Sequence, residues 1–498
     1  MIVPMTEFSM LIFYKEYDAF LQHLKTVGVF HVAERNKDEA PEQTQQKLMI
    51  SDLNDAITFL LAHKTENDST TDNETECLPP QQRGIAEILK EIRQIKEKSE
   101  QEMTDEWKQN VDQYAACIPS LKKRKLELED AFELSRIKTN TQEACDGKIK
   151  ILEGFVPRPQ KKIFSDFLDK QGIVYIKKRS RFSDNPPILL HNNWFSRLFE
   201  PIGSLFSLPS YKDLDLTVFF APFFALFFGF GMNDMGYGII LFAGATSMRL
   251  LGKSKIKKSY LTLVQLLGII TFFFGFLTGN FFGVSVAKFP WLSPLKEFFL
   301  KDKQIFTLAI AIGFIQILFG MALQGINKMA KFGFRYGLPQ VGWIMIILHL
   351  VNMFYFKVWP FYSHIDIYIG LALIIFFADP EAGFFSGIGT GIWELFGITG
   401  LMGDLLSYIR LFALGVSSAI LALVINSIAS QIEKTAYIGP VLFLIIIIFG
   451  HSLNLFVASL GAFVHTMRLT FVEFYKNAGF TGGGNPYKPF TIISNQKT

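Results

Sequence analysis

From about residue 214 onward the sequence is written in apolar, nearly uncharged runs, and their length restricts what the chain can fold into. A helix needs about 20 apolar residues to cross a bilayer. Eight runs match or approach that length, at roughly 216–233, 235–252, 259–282, 304–326, 338–357, 365–378, 392–429 and 437–475. The last two are too long for one upright crossing, so they are expected to tilt, kink or project beyond the lipid. Charge divides the chain at the same place. Of 94 charged residues, 64 lie in the first 213, which carry a net −4; the remainder carries +8. A soluble arm over 1–213 followed by a polytopic helical membrane domain over 214–498 is the expected organisation. An even number of crossings returns the C-terminus to the side of the arm. Arg249, Lys253, Lys255, Lys257 and Lys258, then Lys328, Lys331 and Arg335, fall in loops that this places inside. The outside loop 283–303 holds four lysines, so the positive-inside bias is modest.

The arm reads as α/β at both ends. FSMLIFY, a helix from Glu16 to Thr26 and VGVFHVAE form a β-α-β pattern within residues 5–34. GKIKILEGFVP (147–157), a helix from Gln160 to Gln171 and IVYIKKR (173–179) form a second α/β half. Between these two lobes, TQQKLMISDLNDAITFLLA has helical apolar spacing. Residues 64–82 are polar with two prolines and read as a loop. The charged run from Gly84 to Arg136 reads as long solvated helices in a coiled-coil hairpin, serving either as a spacer or as a docking arm for a partner's helix. Cys77, Cys117 and Cys145 are scattered without C-x-x-C spacing, which fits a reducing cytosol and argues against a disulfide framework or a zinc site. The N-terminal residues lack the basic region and continuous apolar core of a signal peptide. No basic cluster is interleaved with stacking aromatics, so nucleic acid is not an expected partner.

Two arginines interrupt the long apolar runs. Arg410 lies in GDLLSYIRLFALGVSSAILALVIN (403–426), and Arg468 in GHSLNLFVASLGAFVHTMRLTFVEFY (450–475). A charge at such a depth costs from about 3 to over 10 kcal/mol. At 100° per residue Ser407, Ser417 and Ser418 lie about 60°, 20° and 80° from Arg410. Asn454, Gly461 and His465 lie about 40°, 20° and 60° from Arg468. Each helix thus carries a polar stripe with small residues, leaving room for water or another helix. Guanidinium does not release its proton, so it cannot relay one, but it can attract a carboxylate and favour its ionised form. Beside a moving carboxylate it would force ion release on one side and block a direct leak. Asp404, Glu394 and Glu473 are the acids near enough in sequence to serve these arginines as structural partners, and His465 is either a helix-packing histidine or part of an ion path. Asp234, in a glycine-rich turn, is either a turn residue or an acid at a channel entry.

SYIRLFALG, GHSLNLFVASLGAFVHTMRLTFVEFY and GGGNPYKPF together resemble the membrane stator subunit a/I of rotary V-type and A/V-type ATPases and ATP synthases. PFFALFFGFGMNDMGYGIIL, FFGFLTGNFFG and ILEGFVP extend the resemblance over nearly the whole chain. It implies a cytosolic arm of two α/β lobes joined by long helices, and an eight-helix membrane domain gripping a proteolipid ring. It also implies peripheral-stalk subunits of the E/G type and the central-stalk-proximal d/C subunit as partners, in a bacterial inner membrane with both termini cytoplasmic. The family's essential arginine falls on Arg410 and its supporting arginine on Arg468. His465, Glu473, Asp404, Ser407, Ser417, Ser418, Asn454 and Glu394 are then the polar residues expected along H⁺ or Na⁺ half-channels, with Asp234 at an entry. Ala458 stands where eukaryotic relatives carry glutamate, Ser418 where they carry histidine, Asn233 replaces a glycine and Leu216 a proline.

A self-contained transporter or channel binding an anionic substrate through the arginines is the alternative, although no inverted repeat supports it. No H-E-x-x-H or G-x-S-x-G motif occurs, and GGGNPYKPF lacks the G-K-[ST] ending of a nucleotide loop. The chain is therefore expected to be non-catalytic, to bind no nucleotide and to need no cofactor.

Overall fold

A computed structural model describes residues 1–34, 41–63, 89–90, 92–93, 111, 114–115, 117–180, 184–252, 257–288, 297–353, 364–381, 383–435 and 437–491. The chain divides into two units. One is Val3–Leu189 together with the segment from Asn485 onward; the other is Met1–Ile2 with Leu190–Gly484.

The first unit holds strands β1 (Met5–Phe13), β2 (His31–Val32), β3 (Gln142–Ala144), β4 (Ile149–Pro157) and β5 (Val174–Arg179), with helices α1 (Tyr17–Val27), α2 (Pro41–His63), α3 (Ile118–Asn140) and α4 (Lys161–Lys170). The sheet order is β2-β4-β1-β5, with β3 on β4, and every pairing is antiparallel. β1 and β2 therefore flank β4, and β4 and β5 flank β1. The two α/β halves expected as separate lobes interleave into one sheet of split β-α-β units, the ferredoxin-like arrangement. Local pattern identified each half, but strand pairing between residues about 150 apart in sequence decided that they share a sheet.

Alternation in β1 turns Phe8, Met10 and Ile12 inward against Phe20, Leu21 and Leu24 of α1 and Phe164 and Leu168 of α4. Gly154 lets β2 approach, since a Cβ there would fall 2.2 Å from His31 O. The segment after Asn485 belongs to this core. Phe490 is buried with Phe30 and Phe164, its N–H donates to Phe30 O (2.8 Å), and the Tyr487 hydroxyl donates to Val29 O (2.6 Å).

α2 and α3 lie antiparallel. Gln43 Nε2 donates to Thr139 Oγ1 (2.9 Å), Lys125 Nζ donates to Asn54 Oδ1 (2.7 Å), and Leu53, Ile57 and Leu60 pack with Ile118 and Leu121. The loop expected at 64–82, and most of the charged run before residue 117, lie outside the described residues.

The second unit is helical: α5 (Thr217–Met232), α6 (Met235–Leu250), α7 (Lys258–Thr278), α8 (Asp302–Phe332), α9 (Leu338–Val351), α10 (Ile365–Phe377), α11 (Phe384–Leu395), α12 (Gly397–Ser407), α13 (Ile409–Ile432) and α14 (Gly439–Arg468). A short hairpin, Asn280–Phe281 with Val284–Ser285, follows α7. Among the described residues five helical stretches are long and apolar enough to cross a membrane: Lys258–Thr278, Asp302–Phe332, Phe334–Val351, Phe385–Ile432 and Gly439–Asn477. Thr217–Met232 and Ile365–Phe377 are shorter apolar helices.

The run expected at 392–429 starts earlier and is broken at Phe396 and Tyr408. Its first part carries Gly387, Gly389, Gly391, Gly397, Gly400 and Gly403, each weakening a helix by about 1 kcal/mol relative to alanine. The run expected at 437–475 ends in a π-helical turn, Leu469–Phe474.

α5 is apolar all round and mostly buried: Phe220, Phe224 and Phe228 pack with Phe199, Tyr237, Ala462, Phe474 and Tyr475. α6 and α7 touch backbone to backbone. A Cβ on Gly238 would fall 2.8 Å from Gly268 O, and one on Gly268 would fall 2.9 Å from Gly238 O. The last span differs from the rest in leaving most of its apolar surface uncovered, Leu444, Ile445, Ile448, Phe449, Phe456 and Leu460 among it.

Candidate functional site

α13 and α14 run side by side, and their polar residues gather in two groups separated along the helices. Arg410 lies between them. The first group sits where α12 meets α13 and where α14 passes into the π-turn. Asp404, buried, accepts from Lys476 Nζ (3.2 and 3.1 Å) and from Asn477 Nδ2 (3.0 Å). Asn477 Nδ2 also donates to Glu473 O (2.7 Å). Glu473 is 2% exposed, with Oε1 3.9 Å from Nε of the half-exposed Arg468, and Ser407 within reach of its carboxylate. Ser407 Oγ also donates to Gly403 O (3.2 Å). The fully buried Tyr408 donates its hydroxyl to Gln316 Oε1 of α8 (2.7 Å), and Gly313, one turn earlier on α8, is where its ring fits.

The second group lies about 12–24 Å further along α13, at 1.5 Å per residue from Arg410 to Ser418 and Asn426. Asn454 Nδ2, 1% exposed as a residue, donates to the Tyr237 hydroxyl (2.7 Å) and to Ser418 O (3.1 Å). Tyr237 Oη is 2.9 Å from His451 Nδ1, His451 Nε2 is 3.0 Å from Asn426 Oδ1, and Asn426 Nδ2 donates to Phe282 O (2.7 Å). Asp234 caps α6. It accepts backbone N–H bonds from Gly236 (2.8 Å), Tyr237 (3.2 Å), Phe282 (3.1 Å) and Gly283 (3.0 Å). That geometry makes it the organiser of the turn holding the α6 start to the hairpin after α7.

Arg410 differs from the other cations of this region: Arg468 lies 3.9 Å from Glu473 and Lys476 lies 3.1 Å from Asp404. Arg410 Nη1 is buried without a hydrogen bond, and the residue makes no ion pair among the described residues. Asp404, offered by the sequence as a partner, is occupied by Lys476. Glu394 has Lys328 as its charged neighbour. His465 lies between the fields of both arginines. Ser417 is exposed and bonds only back to Leu414 O (2.9 Å), while Ser418 Oγ is buried and unbonded. The arrangement can hold one fixed positive charge in an apolar span, with a group of polar side chains on either side.

Sequence reasoning did not single out Tyr237, His451, Asn426, Gln316, Lys476 or Asn477. Asn426 sits about 160° from Arg410 and His451 about 100° from Arg468, off the arginine stripes. The usable signal was the repeated placement of amides and a histidine in otherwise apolar helices.

Comparison with known proteins gives the same direction. An A-type ATP synthase subunit I from Methanothermobacter thermautotrophicus is 31% identical over 322 residues, covering 62% of this chain and 46% of that protein. A V-type ATP synthase subunit I from Borreliella burgdorferi is 28% identical over 362 residues, covering 68% and 59%. One from Methanocaldococcus jannaschii, named A-type, is 29% identical over 382 residues, covering 68% and 54%. The chain is thus similar in sequence to A-type and V-type ATP synthase subunit I proteins. It spans about half the length of these subunit I relatives. No protein-family model matches it.

Proposed function

We propose that the chain is the membrane stator of a rotary A/V-type ATPase or ATP synthase, with residues 1–213 as its cytosolic arm and 214–498 as its ion-conducting domain. In this reading Arg410 faces an ion-binding carboxylate on a proteolipid ring and separates two half-channels. The observation that carries it is the part-buried Arg410, which has no ion pair among the described residues while the neighbouring Asp404 is taken up by Lys476 and Asn477. A lone cation in a membrane span requires a counter-charge, and here a second protein supplies it. The uncovered apolar face of Gly439–Asn477 supports the same reading, since a ring would lie against the last two helices.

Chain parity bears on topology. The backbone leaves the α/β unit at Leu189 and is hydrogen-bonded back into it from Asn485, with Ile188 N–H donating to Asn485 O (2.7 Å) and Tyr487 N–H to Ile188 O (3.0 Å). An even number of crossings between these points fits that return. The five long spans, the two shorter apolar helices and α6 make eight. The group around Asp404 and Glu473 then lines the cytoplasmic half-channel, and the group from Asn454 to Asn426 lines the opposite one. E/G-type stalk helices and a d/C-type subunit would dock on the arm, and the chain would reside in a bacterial inner membrane.

The test is Arg410→Ala in inverted vesicles carrying the whole complex, with ring and stalk co-purification checked and uptake of H⁺ and Na⁺ followed on ATP addition. Loss of uptake in an assembled complex is the expected outcome. Uptake near the wild-type rate would make Arg410 a structural residue and sink the proposal.

A further inference from the structure

The turn between α6 and α7 concentrates positive charge with no negative charge to balance it. Arg249, Lys253, Lys255, Lys257 and Lys258 follow within ten positions, and no acidic residue occurs between Asp234 and Glu297. Lys253 and Lys255 lie outside the described residues. The other three are exposed and make no ion pair among the described residues. Arg249, near the end of α6, reaches across to α7, where its Nη1 donates to Thr262 Oγ1 (3.5 Å) and Gln265 Oε1 (3.4 Å). Gln265 Nε2 in turn donates to Thr246 Oγ1 of α6 (2.9 Å), and Thr262 Oγ1 donates to Lys258 O (3.0 Å). These acceptors are neutral and the two guanidinium bonds are long, so they aim the charge at the start of α7 without cancelling it. Apolar surface adjoins the cations: Phe242, Met248, Leu250, Leu251 and Tyr260 are exposed. Phe242 precedes Arg249 by about two helical turns, so it lies on the same side of α6 about 10 Å away. That distance falls within one leaflet's hydrocarbon, about 15 Å thick.

We propose that the α6–α7 turn holds an anionic phospholipid, its phosphate on Arg249, Lys257 and Lys258 and its acyl chains along the exposed apolar side of α6. The inference goes beyond the stator reading: it needs α6 and α7 to cross the bilayer and is indifferent to Arg410. Among the described residues only Nη1 of the Arg249 guanidinium is engaged within the chain, which leaves its other nitrogens to donate to a phosphate, while the lysines add point charges. Basic residues at the end of a membrane helix attract anionic lipid by about 1 kcal/mol each. A free phosphate would meet the same cations but leave the apolar side of α6 bare. A lipid covers both, and the tyrosine at the start of α7 sits where aromatic side chains favour the headgroup level.

The experiment is native mass spectrometry of the detergent-solubilised full chain, titrated with dioleoyl phosphatidylglycerol, with dioleoyl phosphatidylcholine as the neutral lipid of equal chain length, and with inorganic phosphate. The triple variant Arg249→Gln/Lys257→Gln/Lys258→Gln is compared with Lys122→Gln/Lys123→Gln/Lys162→Gln, which removes the same charge from the α/β unit. Wild type and the control variant are expected to bind phosphatidylglycerol at least about fivefold more tightly than phosphatidylcholine, and the triple variant to lose most of that preference. Lys257→Gln/Lys258→Gln keeps the test open if the triple variant does not fold, and it is expected to lower the preference by a smaller factor. A wild-type chain that binds both lipids alike would overturn the inference. So would an equal preference in wild type and in whichever of these variants folds. Displacement of phosphatidylglycerol by inorganic phosphate at the lipid's own concentration would show that the cations take a free anion, and would overturn the lipid assignment. None of these outcomes depends on Arg410→Ala, so this inference and the stator reading fail separately.

Discussion

His451 is held at both ring nitrogens, and the bonds around it admit one continuous donor order. Asn454 donates to the Tyr237 hydroxyl, Tyr237 donates to Nδ1, Nε2–H donates to Asn426, and Asn426 donates to Phe282 O. Neutral histidine with its proton on Nε2 fits every link. Tyr237→Phe keeps the ring packed against Phe282 but strands Nδ1 and removes one acceptor from Asn454. It is expected to cost about 1–3 kcal/mol, read as a lower thermal midpoint of the detergent-purified protein; an unchanged midpoint would show the hydroxyl to be energetically idle. At this scale the sequence disclosed the arginines, because a charge in an apolar run is conspicuous by itself. It did not disclose their partners. Asp404 is close to Arg410 in sequence yet is bonded to Lys476, more than seventy residues away.

Among the elements, the segment 485–490 works as a strap on the α/β unit, and His31 is its pH-sensitive clasp. Nδ1 of the buried His31 accepts the Lys488 backbone N–H (3.0 Å). Burial, aided by the Arg136 charge, holds this imidazole below its ordinary value, although a bond to the Lys488 carbonyl works in the opposite direction. Protonation would remove the acceptor of the Lys488 N–H and leave Nδ1–H only the Lys488 carbonyl, 2.8 Å away, as partner. Because the folded value lies below the unfolded one, the unfolded chain takes up the proton first. This contribution to stability is whole above about pH 6.5 and declines as pH falls towards the folded value. Amide exchange at 487–490, corrected for intrinsic rate, should therefore quicken between about pH 7 and pH 5, and His31→Asn should flatten that dependence. An unaltered pH response in the variant would remove His31 from the account. The length of the apolar runs located α13 and α14 from sequence, but not the breaks at Phe396 and Tyr408 or the π-turn. Offsets reckoned at 100° per residue stop applying at Leu469, where the turn widens.

For the whole molecule, the return of the chain into its α/β unit makes topology testable. In a background without Cys77, Cys117 and Cys145, single cysteines at Lys177 and Lys488 should react with an impermeant maleimide from one face of the membrane. One at Ser285, in the hairpin after α7, should react only from the other. Labelling of Lys488 and Ser285 from the same face would rule out the eight-crossing count. The sequence by itself determined that this chain has a charged arm and apolar helices, and that two arginines lie within the last of these. Hydrophobicity, charge and helical period are properties of neighbouring residues, so they can be read without the fold. Only the tertiary structure decided that the two α/β halves share one sheet, that the chain re-enters it after Gly484, and which polar side chains meet across helices. Those outcomes depend on strand pairing between distant segments and on the height and rotation at which helices pack, as where Gly238 meets Gly268. No local pattern encodes that geometry.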